Sequence, residues 1–140
     1  MRCFPFILLA LIFLSACDNR LPVDPKARHA EVSRRIEKAR TSHEAMAWLS
    51  QIADDGLPET RDLMLSFITG PSGFRAEGTI NLINRDVWLK DEVVRQRLRD
   101  YYLDAMGSYR RRAHIRFAII KPNETKYPEF ANLPDEVPVP

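Results

Sequence analysis

Two cysteines, three histidines and several paired carboxylates are the residues of this chain whose types could support chemistry. Cys17 lies at the end of an apolar run. It could be half of a disulfide, a buried thiol at the end of a membrane helix, or a covalent attachment point. The histidines are His29, His43 and His114. His43-Glu44 lacks the second histidine of a helical zinc motif, and the other two have no acidic or cysteine neighbours at ligand spacing. All three read as surface or half-buried side chains, and no metal is expected. Asp54-Asp55, Asp91-Glu92, Glu31 and Glu37 fall on charged helical faces, where carboxylates are solvated unless a cleft gathers them. Gly70-Pro71-Ser72-Gly73 follows no strand, so it reads as a turn and not as a nucleophile elbow. There is no glycine-rich phosphate loop. The expectation is a chain that is no enzyme and needs no cofactor.

Two further features could carry binding. Arg110, Arg111, Arg112 and Arg116 cluster with Tyr109, shortly after Tyr101-Tyr102. Arginine and tyrosine dominate interface hot spots, so this cluster is a candidate anchor for an acidic protein partner. The competing reading is a solvated helix face with ion pairs to Asp100 and Asp104. The second feature is Trp48 with Trp88, of which Trp48 is expected to pack between helices. Nucleic acid is not an expected partner, because the formal net charge is only +2.

The elements around these residues begin with the N-terminus. Met1-Arg2 precedes an apolar run from Phe4 to Leu14, and the chain turns polar at Asp18-Asn19-Arg20. A spanning helix needs about 20 apolar residues, more than this run provides. A basic start, a short apolar stretch and small residues before the polar switch are the layout of a secretory signal. Leu14-Ser15-Ala16-Cys17 then resembles the lipobox of bacterial lipoproteins at all four positions. That resemblance implies cleavage between Ala16 and Cys17, a diacylglycerol thioether on the Cys17 sulfur and an acyl chain on its new amino group. It also implies a lipid-anchored protein on the periplasmic side of the cell membrane. Asp18 with Asn19 resembles the sorting signal that favours the inner membrane over the outer. Cys3 leaves with the signal and Cys17 is consumed, so no thiol remains for a disulfide.

The expected organisation is a signal peptide over 1–16, a flexible anchored tether over 17–24, a helical domain over 25–121 and a Pro-rich extended tail over 122–140. The fold class is mostly α, a small helical bundle or short repeat-like array. Asp24 and Pro25 predict a helix start, followed by a charged first helix that packs loosely. Ser42 predicts the next N-cap, Gly56 a stop and Pro58 a restart, giving a helical hairpin. At Ala45, Trp48, Ala53, Gly56 and Glu59 this hairpin resembles one unit of the Sel-type repeats, relatives of the tetratricopeptide repeats. The resemblance implies a protein-binding scaffold without catalytic residues. Phe74 to Asn84 reads as a weak helix interrupted by Gly78. A longer helix from Asp86 or Asp91 to Met106 carries the stripe Val94, Leu98, Tyr101, Tyr102 and Ala105.

Ser108 to Ile120 alternates like a strand at Ile115, Phe117 and Ile119. It also forms a helical stripe at Tyr109, Ala113, Phe117 and Ile120, and helix is favoured because no other convincing strand exists. Five of the ten prolines fall after Lys121, in a segment with few packing residues. The functional expectation is a protein-interaction module: an adaptor of an envelope complex or an immunity-type lipoprotein. The alternative is an envelope-structural lipoprotein touching peptidoglycan or lipid through its basic face.

Overall fold

Helix starts in this chain are set by short polar side chains and by proline. The structure, a computed structural model, describes residues 20–140, and among these no strand occurs. Helix α1 (Pro25–Lys38) opens as expected, with the Asp24 carboxylate accepting from the Ala27 amide at 2.9 Å and Pro25 in the first turn. Helix α2 (Ser42–Ser50) is capped by Thr41, one residue before the expected Ser42. Thr41 accepts the Glu44 amide at 3.1 Å, and Glu44 in turn accepts the Arg40 amide at 3.0 Å. Gly56 follows at φ +70°, a left-handed conformation suited to glycine, and α3 (Pro58–Thr69) restarts the chain.

Helix α4 (Gly73–Ile83) is capped by Ser72. Gly78 does not weaken it; a Cβ there would stand 2.9 Å from the Met46 side chain, so glycine lets α4 lie close against α2. The single turn α5 (Asp86–Leu89) precedes the longer α6 (Glu92–Leu103), which is capped by Asp91, the later of the two expected starts, and ends three residues before Met106. Helix α7 (Tyr109–Ile115) runs into a π-helical segment, Arg116–Ile120, and a last turn α8 (Lys121–Asn123). The short α9 (Pro128–Ala131) follows. Helix α4 touches α2, α3 and α7, while α6 packs on α3, α5 and α7. The fold is thus a small array of helices with one continuous core.

The π segment has a local cause. Pro122 has no N–H, so it cannot donate to the Ala118 carbonyl four residues back. That carbonyl instead accepts from the Asn84 side chain at the end of α4, at 2.8 Å. The Lys121 amide donates to Arg116, five residues back, and closes the wider turn. The Asn123 side chain takes the Ile119 carbonyl at 2.7 Å. The Ala118 and Ile119 carbonyls are thus both satisfied by asparagine side chains.

Three expectations are corrected. Helix α1 is firmly packed, with Val32 and Ile36 buried in the core. The charged residues that suggested loose packing lie on its other face, where Glu31 is bridged to Arg34 and Arg35, both at 2.7 Å. The tether is docked from Leu21 onward: Leu21 packs against the core, and Arg28 donates to the carbonyls of Pro22 at 2.8 Å and Val23 at 3.3 Å. The segment 122–140 is not a tail that lacks packing residues. Phe130 is buried, Tyr127, Leu133 and Val137 pack against the core, and Tyr127 meets Phe130 edge-on at 5.9 Å. A few apolar residues between prolines suffice, because the turn α9, opened by Pro128, presents Phe130 to the core and the residues after it lie along the surface.

Trp88, not Trp48, is the interior tryptophan. Its indole N–H donates to the Ala53 carbonyl at 2.6 Å and so ties α5 to the turn after α2. Trp48 is half-buried at the edge of the core, with the Arg35 guanidinium 4.4 Å over its ring. Trp88→Phe should therefore leave a buried carbonyl unpaired and cost about 1–3 kcal/mol in denaturant unfolding. Glu129 on α9 is ion-paired with Arg95 on α6. The hydrogen bond from Arg95 holds its carboxyl below the ordinary value of 4.5. A depressed carboxylate stabilises the fold at pH above its unfolded value and loses that contribution as pH falls through its folded value. Glu129→Gln should therefore be less stable than the parent at neutral pH. The gap, read by thermal unfolding, should close as pH is lowered from 4.5 through the folded value.

Candidate functional site

The arginine cluster is divided by the helix that carries it. Arg112 and Arg116 share the buried face of α7 and the π segment with Ile115, Ile119 and Ile120. Tyr109 and Phe117, expected on that face, are 63% and 72% exposed. A helical stripe read from apolar residues alone is rotated here, because two arginines bury their stems and find acceptors for their head groups. Arg112 donates to the Tyr102 carbonyl at 2.9 Å, to that of Ala105 at 3.5 Å and to that of Pro138. Arg116 donates to the Asp135 carbonyl at 3.3 Å and pairs with the Asp135 carboxylate at 2.7 Å. Neither is a free surface anchor, which corrects the expectation for these two residues.

The remaining members are also engaged. Arg111 closes the end of α3, donating to the Ile68 carbonyl at 3.2 Å and to those of Gly70 and Pro71. Arg110 is exposed and pairs with Glu77 of α4 at 2.6 Å, not with Asp100 or Asp104. Asp100 instead accepts from Gln96 at 2.7 Å, and Asp104 accepts the Met106 amide at 3.0 Å.

A concavity of about 670 Å³ lies elsewhere, between α3 and α6. Leu65 and Ile68 line one wall, and Val93, Leu98 and Tyr101 the other. Arg61 and Arg97 supply positive charge, Asp100 and Asp104 negative. The Arg61 guanidinium is held by Asp62 at 2.8 Å and Asp91 at 3.2 Å, and these hydrogen bonds raise its already high pKa further. In the sequence around Asp104, which lines the groove, Leu103, Met106 and Tyr109 stand 42%, 86% and 63% exposed. Exposed apolar side chains and an arginine- and tyrosine-lined groove are each suited to contact with a protein surface. The sequence signal for this region was available in Leu103 and Met106, apolar residues outside the α6 stripe and just ahead of Gly107.

One hydrogen-bonded chain of hydroxyl, imidazole and carboxylate was missed in the sequence. Ser33 and His29 lie one turn apart on α1, with Ser33 Oγ 3.2 Å from His29 Nε2. His29 Nδ1 is 2.8 Å from the Thr60 hydroxyl, which donates to Asp55 at 2.7 Å. The order resembles a proton relay, but none of its members lines the groove. It fixes α1 to the start of α3, and Thr60 at its centre is fully buried. Asp55 also accepts the Leu57 amide at 2.9 Å, which sets the entry to α3. Among the described residues no group of three or more metal-ligating side chains occurs.

Cys17, the cleavage pair Ala16 and Cys17, and the sorting residues Asp18 and Asn19 lie outside the described residues. Among those described, no helix is long and apolar enough to cross a membrane. Comparison with protein-family models, curated proteins and solved structures finds no match to the chain. The relay has a direct test: Thr60→Val should remove one hydrogen-bond partner from each of His29 and Asp55 and cost about 1–3 kcal/mol in chemical denaturation.

Proposed function

We propose that this protein is a lipid-anchored lipoprotein on the periplasmic side of the bacterial cell membrane, and that its helical body binds another protein without catalysing a reaction. The observation that carries the anchor is Leu14-Ser15-Ala16-Cys17, in register with the apolar run before it. Each buried acyl methylene contributes about 0.8 kcal/mol, so a diacylglycerol and an added acyl chain hold firmly where one chain would not. Asp18 with Asn19 favours the inner membrane as the site of anchoring.

The interaction role draws support from the groove between α3 and α6 and from the exposed side chains of Leu103, Met106 and Tyr109. Anchoring raises the effective concentration of such a surface at the membrane, which suits an adaptor of an envelope complex or an immunity-type lipoprotein. The alternative, contact with peptidoglycan or lipid through a basic face, draws less support. Arg112 and Arg116 are turned inward, and Arg111 is occupied by main-chain carbonyls. In bacteria expressing the full chain, Cys17→Ala should abolish incorporation of a fatty-acid analogue and release the protein from the membrane fraction. Persistent labelling would refute the anchor. A photo-crosslinking residue at Met106 should trap a discrete protein adduct in cells, whereas one at exposed Ala27 on α1 should not.

A further inference from the structure

The last residues of the chain lie on a surface made of hydrogen-bond donors. The Tyr102 hydroxyl shares its hydrogen between the carbonyls of Pro134 at 2.7 Å and Glu136 at 2.9 Å. Burial raises the pKa of that phenol, against the opposing pull of Arg116, so it stays protonated and remains a donor. Arg116 reaches the Asp135 carbonyl and Arg112 the Pro138 carbonyl. The body thus takes four successive or near-successive main-chain acceptors from this segment. Its side-chain contacts of opposite charge are confined to Asp135, paired with Arg116 at 2.7 Å and approached by Lys121 at 3.9 Å. Leu133 and Val137 add apolar contact with the core.

This chemistry is general. Pro134, Pro138 and Pro140 lack N–H groups, so the segment presents acceptors to a surface that presents donors. Proline also holds a chain extended before it binds, which lowers the entropy lost on docking. Main-chain carbonyls carry little sequence information, so another segment with the same spacing of prolines and one carboxylate would satisfy the same donors. Arg116 Nη1 is buried without any acceptor, so the chain's own segment leaves one donor of the surface unfilled.

We propose that Tyr102, Arg112 and Arg116 form a peptide-binding groove, occupied in cis by residues 133–138, whose other occupant is an extended proline-containing segment of a partner protein bearing a carboxylate at the place of Asp135. This deepens the interaction reading above and rests on it. The tethered segment competes at an effective concentration of the order of millimolar, so a partner must displace it or meet a chain in which it has opened.

The test is fluorescence anisotropy with a labelled peptide of the sequence 131–140, titrated with the purified full chain in detergent. Asp135→Arg puts like charge beside Arg116 and loosens the cis segment without touching the groove. That variant should bind the peptide about tenfold more tightly than the parent, and adding Arg116→Ala should reverse the gain. A folded Asp135→Arg chain that binds no peptide, or binding indifferent to Arg116→Ala, would overturn the proposal. If Asp135→Arg does not fold, hydrogen exchange on the parent chain decides instead. Millimolar peptide should speed exchange at Glu136 and Val137, and unchanged exchange would sink the idea. Tail exchange between two copies, seen as a dimer of Asp135→Arg by light scattering in place of peptide binding, would reassign the groove to a second copy and overturn the partner assignment. Lipid attachment plays no part in the binding assay, so its failure leaves the anchor standing, and failure of the anchor leaves the assay interpretable.

Discussion

Burying Arg112 and Arg116 is the constraint on which the C-terminal half of the fold depends. A guanidinium cannot shed its proton at ordinary pH, so removing it from water demands acceptors in fixed places. Those acceptors come from two directions. The end of α6 and the turn after it supply the carbonyls of Tyr102 and Ala105, and the C-terminal segment supplies Pro138 and Asp135. The turn between α6 and α7, the inward face of α7 and the path of the last residues are therefore mutually determined. A change to any of them leaves a buried cation short of a partner.

The π segment serves the same arrangement. Pro122 withdraws a donor from the helix that begins at Tyr109, and the wider turn closed by Lys121 and Arg116 absorbs the loss. Arg116 is the first residue of that turn and its carbonyl is the acceptor that closes it. The helix carrying the two arginines is thus held by Asn84 from α4 on one side and by the C-terminal segment on the other. Proline, which the sequence presents as a helix breaker, here shifts the register of a helix that continues past it to Asn123.

The helical class, the hairpin of α2 and α3 and the starts at Asp24 and Pro58 were legible because cap residues and apolar spacing act over three or four neighbours. What failed to read through depended on distant partners. Arg112 looks like a solvent-facing residue until the carbonyls of Tyr102, Ala105 and Pro138, from another helix, a turn and the C-terminal segment, are placed beside it. Phe130, Leu133 and Val137 look too sparse to pack until the surface beneath them exists. Gly78 reads as a weakness in α4 because its justification, Met46, belongs to another helix. The groove between α3 and α6 was invisible for the same reason, since its walls come from separate stretches of chain. The relay through Thr60 joins residues that the sequence separates by about thirty positions.

Docking of the N-terminal segment limits how the proposed anchor can hold the body. Leu21 packs against the core and Arg28 grips the carbonyls of Pro22 and Val23. Only the steps from Cys17 to Leu21 remain to bridge membrane and protein, and at full extension they reach about 14 Å. A lipidated Cys17 would therefore place the start of α1 against the membrane surface rather than on a long leash. Surfaces near Asp24 would then be shielded by headgroups. A partner would have to approach the body where no headgroup lies, and the anchor would fix the orientation in which every copy meets it. Orientation of this kind raises the fraction of productive encounters, because the rotational search that limits protein association is already partly done before the partner arrives.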